Sequence, residues 1–247
     1  MYDNPEALYQ DISKTLKRLS NENAELVRLA NRIRDGTAKA ADAHRFSVIW
    51  GELTSQAARA HVTPANFAEF GWEFSDGAIK PVLLDNFRRV TSNAAAVQKV
   101  IDQAEGVGLM PITPETPEGR IGALCHALGD YSNDWQRIIT LLDDPLINLV
   151  QSFNDDFVEA NAKFRSEAGM ESRIVRTAEA GACDWCRELE GSYLYPDDVP
   201  KNVFRRHDFC RCTVTYKSGR TRQNVWTQKQ WLADDDTLSA RRLYGLD

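Results

Sequence analysis

The sequence predicts a mainly α-helical protein in which long helices form an N-terminal region and a small α+β module follows. Three observations lead there. Apolar residues recur at helical spacing through residues 1–168, where almost nothing reads as strand. Runs of β-branched and aromatic residues appear only after Gly169. Four of the five cysteines fall among those runs, in a module of roughly 50 residues whose core is too small to hold without a staple.

The first helix is expected over residues 5–35. Asp3 or Asn4 can cap it, Pro5 suits its first turn, and Gly36 lies just past its end. Leu8, Ile12, Leu16, Leu19, Leu26, Leu29 and Ile33 recur at spacings of three, four and seven. Such a stripe serves an antiparallel bundle within the chain or, alternatively, self-association. A second helix covers residues 38–61, with Phe46, Ile49, Trp50, Leu53 and Ala57 on one face. Thr63-Pro64 reads as the cap and first position of a short helix. A third long helix runs from Pro81 to Glu105 on Leu84, Phe87, Val90, Val97, Val100 and Ile101. Residues 106–119 hold three Gly and three Pro and read as a surface loop. Helical pattern resumes near Glu118 and continues, with interruptions, through residue 142. Asp144 can cap a further helix that starts at Pro145, uses Leu146, Leu149, Phe153, Phe157 and Phe164, and ends at Gly169. Strands are expected at residues 172–177, 193–195 and 212–216. The chain divides accordingly into a helical domain (1–168), a small Cys/His module (169–217) and a C-terminal tail (218–247). The tail holds the Trp226-to-Trp231 stretch, Asp234-Asp235-Asp236 and Arg241-Arg242, and reads as a partly flexible segment able to dock on a partner.

Composition excludes several classes. The chain has 247 residues, 43% hydrophobic and 27% charged, enough for a real core and unlike a disordered chain. No apolar run is long enough for a transmembrane helix, so no membrane contact is expected. Met1 to Ser20 is polar, with Asp3, Glu6 and Asp11, and does not read as a secretory signal. The expected setting is a reducing cytoplasm, where cysteines are thiols or metal ligands more often than disulfides. The net charge of −6 hides an asymmetry, because residues 201–222 hold seven Lys or Arg against one Asp. A short basic segment on an acidic body fits a local anionic contact, nucleic acid among them.

The cysteines form one pattern: Cys183-Asp184-Trp185-Cys186, then Cys210-Arg211-Cys212, with His207 three positions before Cys210. Two thiolates separated by two residues grip one Zn²⁺ and leave two tetrahedral positions for a distant pair. That pair is His207 with Cys210, Cys210 with Cys212, or His207 with Cys212; Cys183, Cys186 and Cys210 are the safest ligands. A structural Zn²⁺ closed by four protein ligands is the preferred reading, against a disulfide or free thiols and against a catalytic or redox site. The module is accordingly expected to be zinc-stabilised. Enzyme signatures are scarce: there is no His-x-Glu beside the Cys-x-x-Cys, no His-Glu-x-x-His and no phosphate-binding Gly-rich loop. His44, His61 and His126 read as ordinary helical residues, and Cys125 as a small buried hydrophobe. No catalytic residue and no small-molecule substrate are expected. Arg205, Arg206 and Arg211 cluster on the module and are candidate phosphate contacts, or else a solvated or ion-paired face beside Asp197, Asp198 and Asp208.

A longer constellation carries a resemblance. Ala160-Asn161-Ala162-Lys163-Phe164 at a helix end is followed by Ala168-Gly169 and Arg173-Ile174-Val175-Arg176-Thr177. Gly181-Ala182-Cys183-Asp184-Trp185-Cys186-Arg187, Leu189-Glu190-Gly191 and Arg205-Arg206-His207-Asp208-Phe209-Cys210-Arg211-Cys212-Thr213-Val214 complete it. This resembles the minor head proteins of tailed bacteriophages, the Mu F-like head morphogenesis family. There a helical N-terminal region precedes a module with a Cys-x-x-Cys, a Leu-x-Gly and a closing His-x-x-Cys-x-Cys. The likeness is concentrated between Arg173 and Val214, less than a fifth of the chain, and residues 1–140 match only in being helical. It implies a structural, portal-associated protein of the virion, assembled in the bacterial host cytoplasm and acting in head assembly and genome packaging. The portal protein would be its partner, with major capsid or scaffold protein and packaged DNA as further contacts. Some relatives carry C-terminal toxin or enzyme domains, an activity that the 35 residues after Cys212 do not imply here. A zinc-module nucleic-acid-binding protein or nuclease is the alternative from a different class.

Overall fold

The computed structural model describes residues 4–68 and 71–218, and it is mainly helical, with a small antiparallel sheet near its C-terminal end. The expected first helix is two: α1 (Pro5–Glu22) and α2 (Ala24–Arg34). The break is Asn23, whose Oδ1 accepts from the backbone N–H groups of Glu25 and Leu26, both at 3.0 Å. An Asn side chain that caps a new helix competes with continuation of the old one. Leu8 and Ile12 are fully buried, and Leu16, Leu26 and Leu29 nearly so, so the stripe is consumed inside the chain.

α3 (Ala40–His61) is the central helix, and α4 (Pro64–Phe67) follows with Thr63 as its cap. The third long helix begins earlier than expected: α5 (Gly71–Phe74) passes through a π-helical turn (Ser75–Ile79) into α6 (Lys80–Glu105). Gly106 ends α6 in the left-handed conformation, φ 70°. Residues 107–117 are irregular, as expected, and are tied to the bundle where Asn161 accepts from Ile112 N–H and donates to its carbonyl. The interrupted stretch resolves into α7 (Glu118–Asp130) and α8 (Trp135–Leu141), and α9 (Asp144–Glu167) then lies along α3. The main core draws only on residues 8–153.

Strands β1 (Ser172–Thr177), β2 (Gly191–Tyr195) and β3 (Thr213–Ser218) form a sheet of order β2-β1-β3, antiparallel throughout, with α10 (Asp184–Glu188) between β1 and β2. Ile174 stands opposite Tyr193 on one side and Tyr216 on the other. The sheet builds its core against the helices, while Cys186, Cys210 and Cys212 gather with Ala178, Ala182 and Trp185 in a small cluster of the module's own. Ile174, Val203, Val214 and Tyr216 pack against Val158 and Ala162 of α9. Arg165 of α9 is fully buried, pairs with Asp102 of α6 at 2.5 Å and lies over the Tyr216 ring. Among the described residues no helix is long and apolar enough to cross a membrane. The expected tail lies outside the described residues from position 219 onward.

Candidate metal centre

The two halves of the cysteine pattern meet beside β1. Gly181 turns the chain at φ 84°, Cys183 occupies the N-cap position of α10, and Cys186 sits on that short helix. The second half is irregular up to β3, and Cys210 N–H donates to the His207 carbonyl at 3.1 Å. Phe209, between them, is held at φ 60° and is 75% exposed. Cys186 is the hub. Its Sγ lies 3.0 Å from His207 Nε2 and 3.8 Å from Cys210 Sγ, and Cys183 Sγ lies 3.3 Å from the same Nε2. Cys183, Cys186 and His207 form one group that can hold a metal ion, and Cys186, Cys210 and Cys212 form another. All five residues named from the sequence are therefore brought together around one buried sulfur.

The spacing suits a metal. A tetrahedral ion with metal–sulfur bonds of about 2.3 Å and metal–nitrogen bonds of about 2.0 Å sets sulfurs roughly 3.8 Å apart and sulfur from nitrogen roughly 3.5 Å apart. The Cys186–Cys210 separation of 3.8 Å equals that edge, while the sulfur–nitrogen separations of 3.0 and 3.3 Å are shorter than theirs. The imidazole is oriented for ligation, with Nδ1 facing the Asp208 carbonyl at 2.6 Å. A carbonyl only accepts, so Nδ1 carries the proton and Nε2 presents its lone pair to the sulfurs. Burial, helped by Cys212 and Cys210 and opposed by Arg176, pushes the Cys186 thiol up to about 12. A divalent cation reverses that balance, because a coordinating thiol loses its proton outright.

Arg176 is the site residue that motif reading missed. Its guanidinium is buried; Nη1 donates to the Val203 and Arg205 carbonyls, and Nη2 lies 3.6 Å from Cys186 Sγ and 3.8 Å from Cys210 Sγ. The Trp185 ring covers it at 5.5 Å and meets the His207 ring edge-on at 5.7 Å. No carboxylate is paired with Arg176 among the described residues. A buried cation without an acid calls for negative charge nearby, and the sulfurs are the groups within reach. The signal was in the strand period, since Ser172, Ile174 and Arg176 alternate inward.

The three arginines expected at phosphate separate. Arg206 is turned inward: Nε and Nη2 donate to the two oxygens of Asp155 at 2.6 and 2.8 Å, and Nη1 donates to the Cys212 carbonyl at 2.9 Å. Both partners are almost fully buried, and although burial opposes the Arg206 charge, Asp155 more than restores it. Arg211 donates to Asp144 at 2.9 Å and is mostly covered. The acids that hold them come from α9, not from Asp197, Asp198 or Asp208. Arg205 alone of the three is exposed. The same α9 turn grips the His207 loop, as Asp144 accepts from Phe209 N–H and Asn148 donates to the His207 carbonyl at 3.0 Å. Cys125 and His126 do not form a pair: burial pushes the thiol up to about 11, and the imidazole meets the Trp72 ring.

This centre is thus a Cys/His cluster backed by a buried guanidinium and bolted by ion pairs to the start and middle of α9. No protein-family model, characterised protein or solved structure matches the chain.

Proposed function

We propose that the chain is a non-enzymatic minor head protein of a tailed bacteriophage, portal-associated, with a structural Zn²⁺ locking its C-terminal module onto a helical body. The observation that carries this reading is the pair of groups that share Cys186, namely Cys183 with Cys186 and His207, and Cys186 with Cys210 and Cys212, formed by the motif that resembles the head morphogenesis family. Sulfur-rich ligation with one imidazole is the donor chemistry of closed zinc sites. Three thiolates and a neutral imidazole around Zn²⁺ leave one net negative charge, which Arg176 balances, since the nearby Arg206 is already neutralised by Asp155. Cys210 is the better third thiolate, because it shares the Arg176 guanidinium with Cys186, while Cys212 is also within reach.

A nuclease reading is weaker on this geometry. His207 Nε2 points at two sulfurs and its Nδ1 proton at a carbonyl, so neither nitrogen is available as a base. Direct contact with packaged DNA would fall to Arg205, the exposed cation beside the cluster, with Arg206 and Arg211 setting the module on α9.

Two measurements test the reading. Elemental analysis with thiol titration should find about one zinc per chain, with most thiols protected until a chelator is added. Quantitative mass spectrometry of particles from the phage that encodes the chain should find it at a few copies per head, co-isolating with the portal. Absence from particles and their assembly intermediates, or metal-dependent DNA cleavage by the pure protein, overturns the proposal.

A further inference from the structure

The helical body carries a groove that the fold leaves open. It has a volume of about 810 Å³, with α1 and α2 on one side, α6 on the other and α3 beneath. Leu16, Leu26, Phe46 and Val82 lie buried in its depth, while the half-buried Trp50 and the 48% exposed Val27 face into it. The size and the apolar floor are those of a ligand pocket, and walls of two helices flanking a third leave the slot a further segment fills in a bundle.

Its rim is basic on a chain of net charge −6. Asp85, the one acid lining it, is already engaged by Arg88 and by the Tyr9 hydroxyl, each at 2.8 Å or less. Lys17 and Arg89 are exposed at the groove and have no carboxylate partner among the described residues. Arg89 lies over the Trp50 ring at 5.5 Å, so cation and aromatic face form one platform. The chemistry that complements this surface is a short segment with large aromatics next to a block of carboxylates.

One stretch of this chain has that composition. Beyond β3, Trp226 and, past Lys229, Trp231-Leu232-Ala233 lead into Asp234-Asp235-Asp236. We propose that the groove is the binding site of the chain's own C-terminal segment, residues 226–236, with the tryptophans over the Trp50–Arg89 platform and the aspartates on Lys17 and Arg89. The connection is short enough. Tyr216 of β3 borders Ala43 and Ala94, and Phe46 and Ser92, which line the groove, stand about one turn or less from those alanines on the same helices. The seven residues 219–225 span up to about 24 Å when extended.

Zero-length carbodiimide coupling of amines to carboxylates on the full chain tests this, with peptide mapping by mass spectrometry on an equal mixture of heavy- and light-isotope protein. The expected product joins Lys17 to the peptide containing Asp234–Asp236, within chains of one isotope only. Arg89→Glu should lower its yield about fivefold, the scale of losing one exposed charge contact, and changing all three aspartates to Asn should abolish it. Absence of the Lys17 product, coupling spread evenly over Lys14, Lys39 and Lys201, or mixed-isotope products, which mean a second copy's tail, would each overturn the proposal.

Discussion

Arg206→Met is the most telling perturbation, because it separates a structural cation from a nucleic-acid contact. Both members of the Arg206–Asp155 pair are nearly inaccessible, and the guanidinium makes two short bonds to the carboxylate and a third to the Cys212 carbonyl. Removing it leaves Asp155 charged, buried and alone, while Met fills most of the volume. Breaking a buried pair from one side costs about 3–5 kcal/mol. For a chain of this size each kcal/mol moves the thermal midpoint by about 2–4 °C, so a fall on the order of 10 °C is expected by differential scanning calorimetry. Asp155→Leu combined with Arg206→Met should recover most of that loss, because a well-packed apolar pair substitutes for a buried ion pair at little or no cost. A variant that melts within 1–2 °C of the parent but loses DNA binding and its salt dependence would refute the structural assignment and return Arg206 to the phosphate-contact role.

Three further outcomes are expected. Burial, with the Arg206 charge adding and Asp155 opposing, pushes His44 down to about 4. The unfolded chain therefore takes up a proton on His44 between pH 6.5 and about 4 that the native state refuses, and stability falls through that window by about 1.4 kcal/mol per pH unit. Asp156 runs the other way: burial pushes it up to about 6 against the pull of Arg120, so its contribution weakens stability as pH rises from about 4 to 6. Urea midpoints at pH 4.5 and 7 should show a flatter acid limb for His44→Gln and a steeper one for Asp156→Asn, and equal slopes would contradict both assignments. Phe209→Gly should raise stability by up to about 1 kcal/mol, since glycine occupies φ 60° without the side-chain clash and the exposed ring contributes little packing; a lower urea midpoint would show that the ring is needed. Cys183→Ser should release the metal and loosen residues 178–212, with helical circular dichroism retained, because the main core contains no residue of the module; loss of all helicity in one step would argue for a single cooperative unit.

Much of this protein was legible in its sequence, and the reason is local. Helical periodicity, Pro at first turns and Gly at ends are short-range devices, so α3, α6 and α9 lie close to where the spacing put them. The three strands did too. The cysteine cluster was legible because a Cys-x-x-Cys followed by a His-x-x-Cys-x-Cys is a spacing that suits metal ligation, and the fold does bring those side chains together.

What the sequence alone did not determine is who faces whom across long separations. Asn23 was invisible as a break because the apolar stripe runs through it, and only the cap bonds of α2 declare it. Arg206 and Arg211 looked like surface cations in a basic run; their acids, Asp155 and Asp144, lie 51 and 67 residues earlier on α9. Arg176 is ordinary in a strand until the pleat turns it inward against two sulfurs. Charge identity is written residue by residue, but whether a charge is buried, paired or free depends on which helix the folded chain brings against it. For that reason the candidate ligands could be named from the sequence, whereas the guanidinium behind them and the ion pairs that bolt the module to the bundle belong to the tertiary structure.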